Sequence, residues 1–367
     1  MAADKQLKVA IVHDWLVGGG AERVVMELHN TFPDAPIYTS YCTPEWRERL
    51  DGKVVTGWLQ HFGRLRKFLA LGRIWWFTHL DFTGYDLVIS SSGNGEAKGI
   101  RVPKGVTHVC YCHSPTHYYW RHYEQYLRRP GFGLFDPLAR LGLRLLLGPL
   151  RRWDLRASSR PDYYIANSNH IKDDIKTYYG RDAVVIHPPI DVARFSPSVP
   201  LTERRSFITV GRQATYKRTD IIVEACSKLN LPLEVLGSGP DHERLKKLAG
   251  PSVTFLPRPS DAEVAAHMAH AKAFLFAAYE DFGVTPVEAL AAGTPVIAFK
   301  AGGAFDYVVP GLTGQFFTEQ TPESLARALK NYDPTTYDPQ KIAKFAESFS
   351  PQAFAKKLRA FLKTIVK

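Results

Sequence analysis

Short apolar runs punctuate the chain, each separated from the next by an amphipathic or irregular stretch. The first half carries them at residues 9–12, 87–89, 109–112, 164–166 and 184–186, and the second half at 207–210, 233–236, 253–256, 273–276 and 296–299. Continuous runs of this kind predict strands buried on both faces, and the helical stretches between them predict the layers that cover those faces. A proline-rich series of turns, His187-Pro188-Pro189-Ile190-Asp191 through Ser196-Pro197-Ser198-Val199-Pro200, interrupts the pattern before it restarts and reads as a linker. The expectation is an α/β protein with two Rossmann-like, doubly wound parallel-sheet domains, 1–192 and 201–350, and ligand bound between them. Length agrees, because 367 residues exceed the roughly 250–300 at which a single core stops growing. The closing stretch 351–367 sets Phe354, Leu358, Leu362 and Ile365 along one helical face and needs an apolar surface to dock on.

Chemistry concentrates where predicted strands end. Tyr279-Glu280-Asp281-Phe282-Gly283-Val284-Thr285-Pro286-Val287-Glu288 follows a buried run and opens a helix. Thr285 and Glu288 have capping-box spacing, and Pro286 suits the first helical position. The N–H groups and positive dipole end of that helix favour a phosphate. Taken singly, Glu288 is either a helix cap or a ligand group, and Glu280 either a solvated loop acid or a ligand group. Gly211-Arg212 ends another strand and Lys217-Arg218 follows a turn later, which places cations that are either solvated or aimed at a leaving diphosphate. Gly18-Gly19-Gly20-Ala21-Glu22-Arg23 follows the first strand. Its glycines let backbone approach a ligand and a helix beginning near Glu22 offers an N-terminus, the alternative being a flexible strand-to-helix turn. His113 precedes Ser114-Pro115-Thr116-His117-Tyr118-Tyr119-Trp120-Arg121; with no Ser-His-Asp or metal spacing beside it, position alone favours a hydrogen-bonded structural imidazole. Gly237-Ser238-Gly239 lacks the third glycine of a dinucleotide fingerprint and reads as a turn.

The string around Glu280 and Glu288, two glutamates separated by seven residues and flanking a Phe-Gly turn, resembles the signature of retaining glycosyltransferases of family 4. Gly302-Gly303-Ala304-Phe305-Asp306 is similar to the Gly-Gly element of that family, with Asp306 where Glu is commoner; no role is assigned to Asp306. The Gly-Gly-Ala-Glu-Arg loop and the Gly211-Arg212/Lys217 spacing resemble further family elements, and the His113-Ser114-Pro115 string with its aromatics resembles bacterial polysaccharide-assembly mannosyltransferases. The resemblance implies the GT-B fold, with 351–367 packing back on the first domain. It implies that Arg212 and Lys217 hold a donor diphosphate beside the amides opening the Thr285 helix, with Val284 and Thr285 among the donor-binding residues. It further implies that Glu280 contacts the sugar hydroxyls with the Phe282 and Gly283 amides, that Glu288 contacts the ribose, that Gly19 and Gly20 border the diphosphate and acceptor, and that His113 orients the sugar near the reacting centre. Mannose from GDP-mannose is the donor it favours, UDP-sugars staying open. The acceptor it implies is a saccharide or a polyprenyl-diphosphate-linked oligosaccharide. The alternatives are another sugar-nucleotide enzyme, such as an epimerase or a disaccharide synthase or phosphorylase, and a non-catalytic basic protein binding RNA or membrane.

Charge alters this picture in one respect. The net charge is +11, and residues 58–80 interleave Arg64, Arg66, Lys67 and Arg73 with Trp58, Phe62, Phe68, Trp75, Trp76 and Phe77. Residues 136–156 pair Leu138, Leu141, Leu145 and Leu150 with Arg140, Arg144, Arg151, Arg152 and Arg156. Both segments suit an anionic bilayer surface, and core-facing helices with solvated arginines are the other reading. Nucleic acid is not an expected partner. No apolar stretch reaches the roughly 20 residues of a membrane span. Cys42, Cys110, Cys112 and Cys226 lack zinc spacing, and no Asp-x-Asp occurs, so no cofactor and no metal is expected beyond the nucleotide-sugar co-substrate. Few cysteines and an N-terminus without an apolar signal core predict a cytoplasmic protein, peripheral at the inner face of the plasma membrane.

Overall fold

The computed structural model describes residues 7–366 except 117, 118, 122, 129–132, 134, 135, 198 and 258. It forms two units, Met1–Pro188 with Ala355–Lys367, and Pro189–Phe354. In the first unit, β1 (Val9–His13), β2 (Ile37–Thr39), β3 (Val54–Thr56), β4 (Leu87–Ser92), β5 (Thr107–Cys112), β6 (Tyr163–Ala166) and β7 (Ala183–Val185) pair in parallel in the order β3-β2-β1-β4-β5-β6-β7. Helices α1 (Gly20–Thr31), α2 (Pro44–Arg49), α3 (Ala70–Thr78), α4 (Tyr123–Arg128), α5 (Asp136–Ser158) and α6 (Asn169–Tyr179) connect them. Strand order reverses between β1 and β4, the place where an open α/β sheet leaves a crevice at its carboxyl edge.

The second unit repeats the plan. Strands β8 (Ser206–Val210), β9 (Leu233–Leu236), β10 (Val253–Leu256), β11 (Ala271–Phe276), β12 (Val296–Phe299) and β13 (Gly314–Phe317) run parallel in the order β10-β9-β8-β11-β12-β13, reversing between β8 and β11. Its helices are α7 (Thr219–Lys228), α8 (His242–Leu248), α9 (Asp261–His270), α10 (Val284–Ala291), α11 (Pro322–Lys330) and α12 (Pro339–Ala346). Alternate side chains of each strand feed opposite layers, as the period of two requires. Phe207, Leu275 and Ile297 pack with Val223 and Leu325, while Ile208, Phe274 and Val296 pack with Leu290 and Phe349. The sheet is therefore buried on both faces, which is why its strands read as continuous apolar runs. The closing helix, α13 (Pro351–Ile365), buries Phe354, Leu358 and Leu362, and its Phe361 ring meets Tyr163 of the first unit edge-on at 6.2 Å.

Burial corrects one expectation. Arg73 is not a surface cation: it is 4% exposed, donates from Nε and Nη2 to Glu96 at 3.0 and 2.7 Å, and lies over the Trp15 ring. Trp76 and Phe77 beside it are core residues. A long side chain can bury its charge only with such a partner, and Glu96 is 23 residues away in sequence, beyond any local pattern.

His108 on β5 is fully buried, with Nε2 2.8 Å from Ser90 Oγ. Burial, aided by the Arg160 charge, pushes its pKa from 6.5 down to about 3. The unfolded chain therefore binds a proton that the folded chain refuses between these values, so stability is full above 6.5 and declines as pH falls toward 3. We expect the first unit to lose about 2 kcal/mol through His108 alone between pH 7 and pH 5. Calorimetry of the native protein and His108→Gln at both pH values checks this; an equal pH dependence in the two would contradict it.

Candidate functional site

In the second unit the sequence-flagged groups gather at the β8/β11 reversal. Beyond β8 the chain turns through Gly211 and carries Arg212, exposed at the rim, then Gln213. Gln213 is buried, donates to Gly237 O at 2.7 Å and meets His242 Nδ1 at 2.7 Å. Its backbone is zipped to the neighbouring loop by Gly211 N–H to Leu236 O and Gln213 N–H to Ser238 O, both 3.0 Å. The approach is close enough that a Cβ at Gly237 would lie 2.3 Å from Gly211 O, so Gly237-Ser238-Gly239 is a packing turn. A single 3-10 turn, Thr215–Lys217, then presents Lys217, whose Nζ pairs with Glu280 Oε1.

Glu280 follows β11. Its carbonyl accepts Gly303 N–H at 2.9 Å, which folds the turn Gly302–Asp306 onto the 279–283 segment. Gly283 has φ +93°, and a Cβ there would meet Tyr307 Oη at 2.8 Å and Phe276 at 3.3 Å. Phe282 points inward, edge-on to Tyr307 and tilted against Phe349, so its side chain belongs to the core. A depression of about 360 Å³, open to solvent, is lined by Gly211, Arg212, Gln213, Lys217, Ala277 and Thr285 among others. Cations, a carboxylate and a helix N-terminus thus meet at one sheet edge, which suits an anion flanked by polar hydroxyls.

The capping box is corrected. Helix α10 starts at Val284 with Gly283 as its N-cap, and no side chain caps it. Thr285 is therefore the second helical residue and cannot cap. The turn needs a residue free to adopt positive φ against the Tyr307 hydroxyl, and only glycine supplies that. Glu288 lies on α10 itself: it is 3% exposed and accepts from Arg194 Nη2 at 3.3 Å, while Arg194 Nη1 reaches Asp261 at 2.8 Å. Arg194 was not singled out from sequence, since its partner lies 94 residues on.

In the first unit, Gly19 is the N-cap of α1 and Gly20 its first residue, both exposed beyond β1. The helix begins two residues before Glu22. The Glu22 carboxylate accepts Gly18 N–H at 2.9 Å and Val17 N–H at 3.2 Å, closing the glycine turn. Across the β1/β4 reversal, Asp14 accepts the N–H groups of Gly93, Asn94 and Ala97, each at 2.8 Å. His113 leaves β5 with Nε2 2.8 Å from Ser91 Oγ; His13 Nδ1 donates to Ser91 O at 2.9 Å, and the two imidazoles lie edge-on at 6.4 Å. Burial, with His13 adding, takes the His113 pKa from 6.5 down to about 3, so the ring is neutral at pH 7. His13, Asp14 and Ser91 were missed, although His-Asp directly after a buried strand was a usable signal. His117 and Tyr118 lie outside the described residues, as do the side chains of Arg64, Arg66, Lys67 and Phe68. Among the described residues no His, Cys, Asp or Glu group has metal-holding geometry, and no helix is long and apolar enough to cross a membrane.

Two parallel doubly wound sheets, of seven and six strands, are the plan of the GT-B fold. Residues 18–194 match Glycosyltransferase Family 4 and residues 192–333 match Glycosyl transferases group 1, which together indicate a GT-B glycosyltransferase of family 4 type. The D-inositol 3-phosphate glycosyltransferases of Streptomyces avermitilis and Mycolicibacterium gilvum are 27% and 30% identical over 213 and 203 residues, covering 49% and 48% of this chain. The matched stretch spans about half of these relatives, 46% of each. Among solved structures, Anabaena Alr3699/HepE in complex with UDP superposes with a TM-score of 0.70 at 17% identity, covering 98% of this chain and 100% of that one. Sucrose-phosphate synthase from Thermosynechococcus elongatus gives 0.69 at 17%, covering 98% and 99%. At such identities the likeness establishes the fold.

Proposed function

We propose that the protein is a retaining glycosyltransferase that moves a hexosyl group, mannose from GDP-mannose by preference and otherwise a sugar from a UDP donor, onto a saccharide or lipid-linked oligosaccharide. The convergence of Arg212, Lys217, Glu280 and the α10 N-terminus at the β8/β11 reversal carries this reading. Arg212, Lys217 and the α10 amides take the diphosphate, Glu280 the sugar hydroxyls beside Gly283, and Glu288 the ribose. The C1–O bond breaks with its electron pair passing to the diphosphate, whose growing charge these groups stabilise. The acceptor hydroxyl bonds to C1 on the same face, and its proton passes to the departing phosphate oxygen. His113, neutral, orients the sugar, with Gly19 and Gly20 bordering diphosphate and acceptor. The complex of HepE with UDP-glucose supports a nucleotide-sugar donor and keeps UDP in play. Thermal-shift titration with GDP, UDP, GDP-mannose and UDP-glucose tests the donor, since ligand at 100 times its Kd adds about 2.7 kcal/mol. Release of nucleoside diphosphate only in the presence of acceptor separates transfer from epimerisation.

The acceptor side includes an anionic membrane surface, as for a peripheral protein of the inner face of the plasma membrane. Helix α5 exposes Leu138, Leu141 and Leu145 at 68, 54 and 68%, spaced to share one face, with Arg144, Arg152 and Arg156 exposed on the same helix. Trp75 and Leu71 on α3 are likewise exposed. Such a face inserts at an anionic interface and gains from each buried apolar side chain. Flotation with anionic vesicles should recover the native protein, and Leu141→Asp with Leu145→Asp should reduce recovery severalfold; equal recovery on anionic and neutral vesicles contradicts the membrane role.

A further inference from the structure

A buried polar cluster outside the donor site surrounds Asp154 on α5. The Asp154 side chain is 0% exposed and is satisfied by four donors. Oδ1 accepts from Lys98 Nζ at 2.5 Å and Thr116 Oγ1 at 2.8 Å; Oδ2 accepts from Trp120 Nε1 at 2.8 Å and the Tyr179 hydroxyl at 2.9 Å. The Tyr179 oxygen in turn accepts Thr116 N–H at 3.2 Å. A Cβ at Gly95 would lie 2.2 Å from Thr116 Oγ1, so even the neighbouring turn is cut to fit.

Two of these donors, Thr116 and Trp120, belong to the segment that leaves β5 immediately after His113. The same segment is held twice more. Arg151, one helical turn before Asp154, donates from Nε to Tyr119 O at 2.6 Å and lies over the Trp120 ring, whose other stacking partner is Tyr178. At its start, Asn167 Nδ2 donates to His113 O at 2.9 Å. A buried ion pair such as Lys98–Asp154 adds little net stability against an apolar replacement. Four donors on one dry carboxylate do, however, fix Thr116 and Trp120 in one arrangement, because any other leaves the charge unsatisfied. Connecting segments are otherwise the most mobile part of a fold.

We propose that Asp154 is a positioning residue that holds Thr116 and Trp120, and through Thr116 the His113 imidazole three residues before it, in a single place at the carboxyl end of β5. The proposal rests on the reading of His113 as the group beside the reacting sugar. Thr116→Val with Trp120→Phe removes two tethers and leaves the Lys98–Asp154 pair and Tyr179 intact; Trp120→Phe alone serves if the pair fails to fold. Two readouts are needed: steady-state transfer, and the imidazole signals of 15N-histidine-labelled protein, with His113 assigned by comparison with H113Q. The expected result is a kcat at least tenfold lower, GDP and UDP affinity within twofold, a melting temperature lowered by the two lost donors to a buried carboxylate, and His113 signals shifted or broadened. Unchanged His113 signals overturn the proposal whatever the activity. Altered His113 signals with undiminished kcat support the clamp and instead remove His113 from the reaction.

Discussion

Lys217→Ala should lower sugar transfer about 10²–10³-fold, the cost found when one preorganised electrostatic group is deleted from a site where charge develops. The ammonium stands one turn beyond β8, opposite Glu280 and beside the α10 N-terminus. On the proposed function, a departing diphosphate gathers the electron pair of the broken C1–O bond there. Fold stability should barely change, because the side chains of the Lys217–Glu280 pair are 25 and 19% exposed, and pairs that reach solvent contribute at most about 1 kcal/mol. The two readouts therefore separate: kcat falls while the melting temperature holds. Lys217→Arg should restore little, since a planar fork does not reproduce a point charge on a flexible stem. Arg212→Ala, at the exposed rim, should act more on donor KM than on kcat. A Lys217→Ala enzyme with kcat within threefold of native would remove Lys217 from the transition state, and with it the anion-binding reading of this edge.

How much of this was legible depended on how local each determinant is. The longer strands of both units were read within a residue or two because burial on both faces makes them continuous apolar runs, except that β4 continues three residues past the expected Ile89 through buried serines. The three-residue β2 and β3, Ile37–Thr39 and Val54–Thr56, and the glycine-led β13 carry no such run and were missed; a neighbour in the sheet makes them strands. At the site, residue types and spacing left Arg212, Lys217, Glu280 and Glu288 open between solvated and ligand groups, the family resemblance singled them out, and the structure brings the first three to one edge. It assigns Glu288 a partner, Arg194, that no spacing rule connects to it, and moves the helix start from Pro286 to Val284 because the Gly283 turn packs against Tyr307. Ser91 and Asp154 were likewise invisible, since each acts on groups that the sheet brings near rather than on its sequence neighbours. The failures thus share a cause: long-range satisfaction of buried polar groups leaves no periodic trace.

The largest structural effect should come from Gly303→Ala. A Cβ at Gly303 would lie 2.3 Å from Phe282 Cα, 2.5 Å from Phe282 O and 2.7 Å from Asp281 O. All three are backbone atoms and cannot swing aside, so the Gly302–Asp306 turn must lift from the Glu280 turn by about an ångström to restore ordinary contact. Lifting breaks the Gly303 N–H to Glu280 O bond, worth about 1 kcal/mol, and opens packing at Phe282 and Tyr307, a further 1–3 kcal/mol or so. Glu280 moves with the turn, and a misplacement of this size costs about 10² in rate. Gly142→Ala is the matched control. Gly142 lies within α5, where an added methyl would meet nothing within 4 Å, and alanine there should stabilise by about 0.5–1 kcal/mol. Calorimetry and transfer assays on both variants decide the matter: if Gly303→Ala melts and turns over like the native enzyme, the two turns are not in contact, and the placement of Glu280 at the sheet edge loses its support.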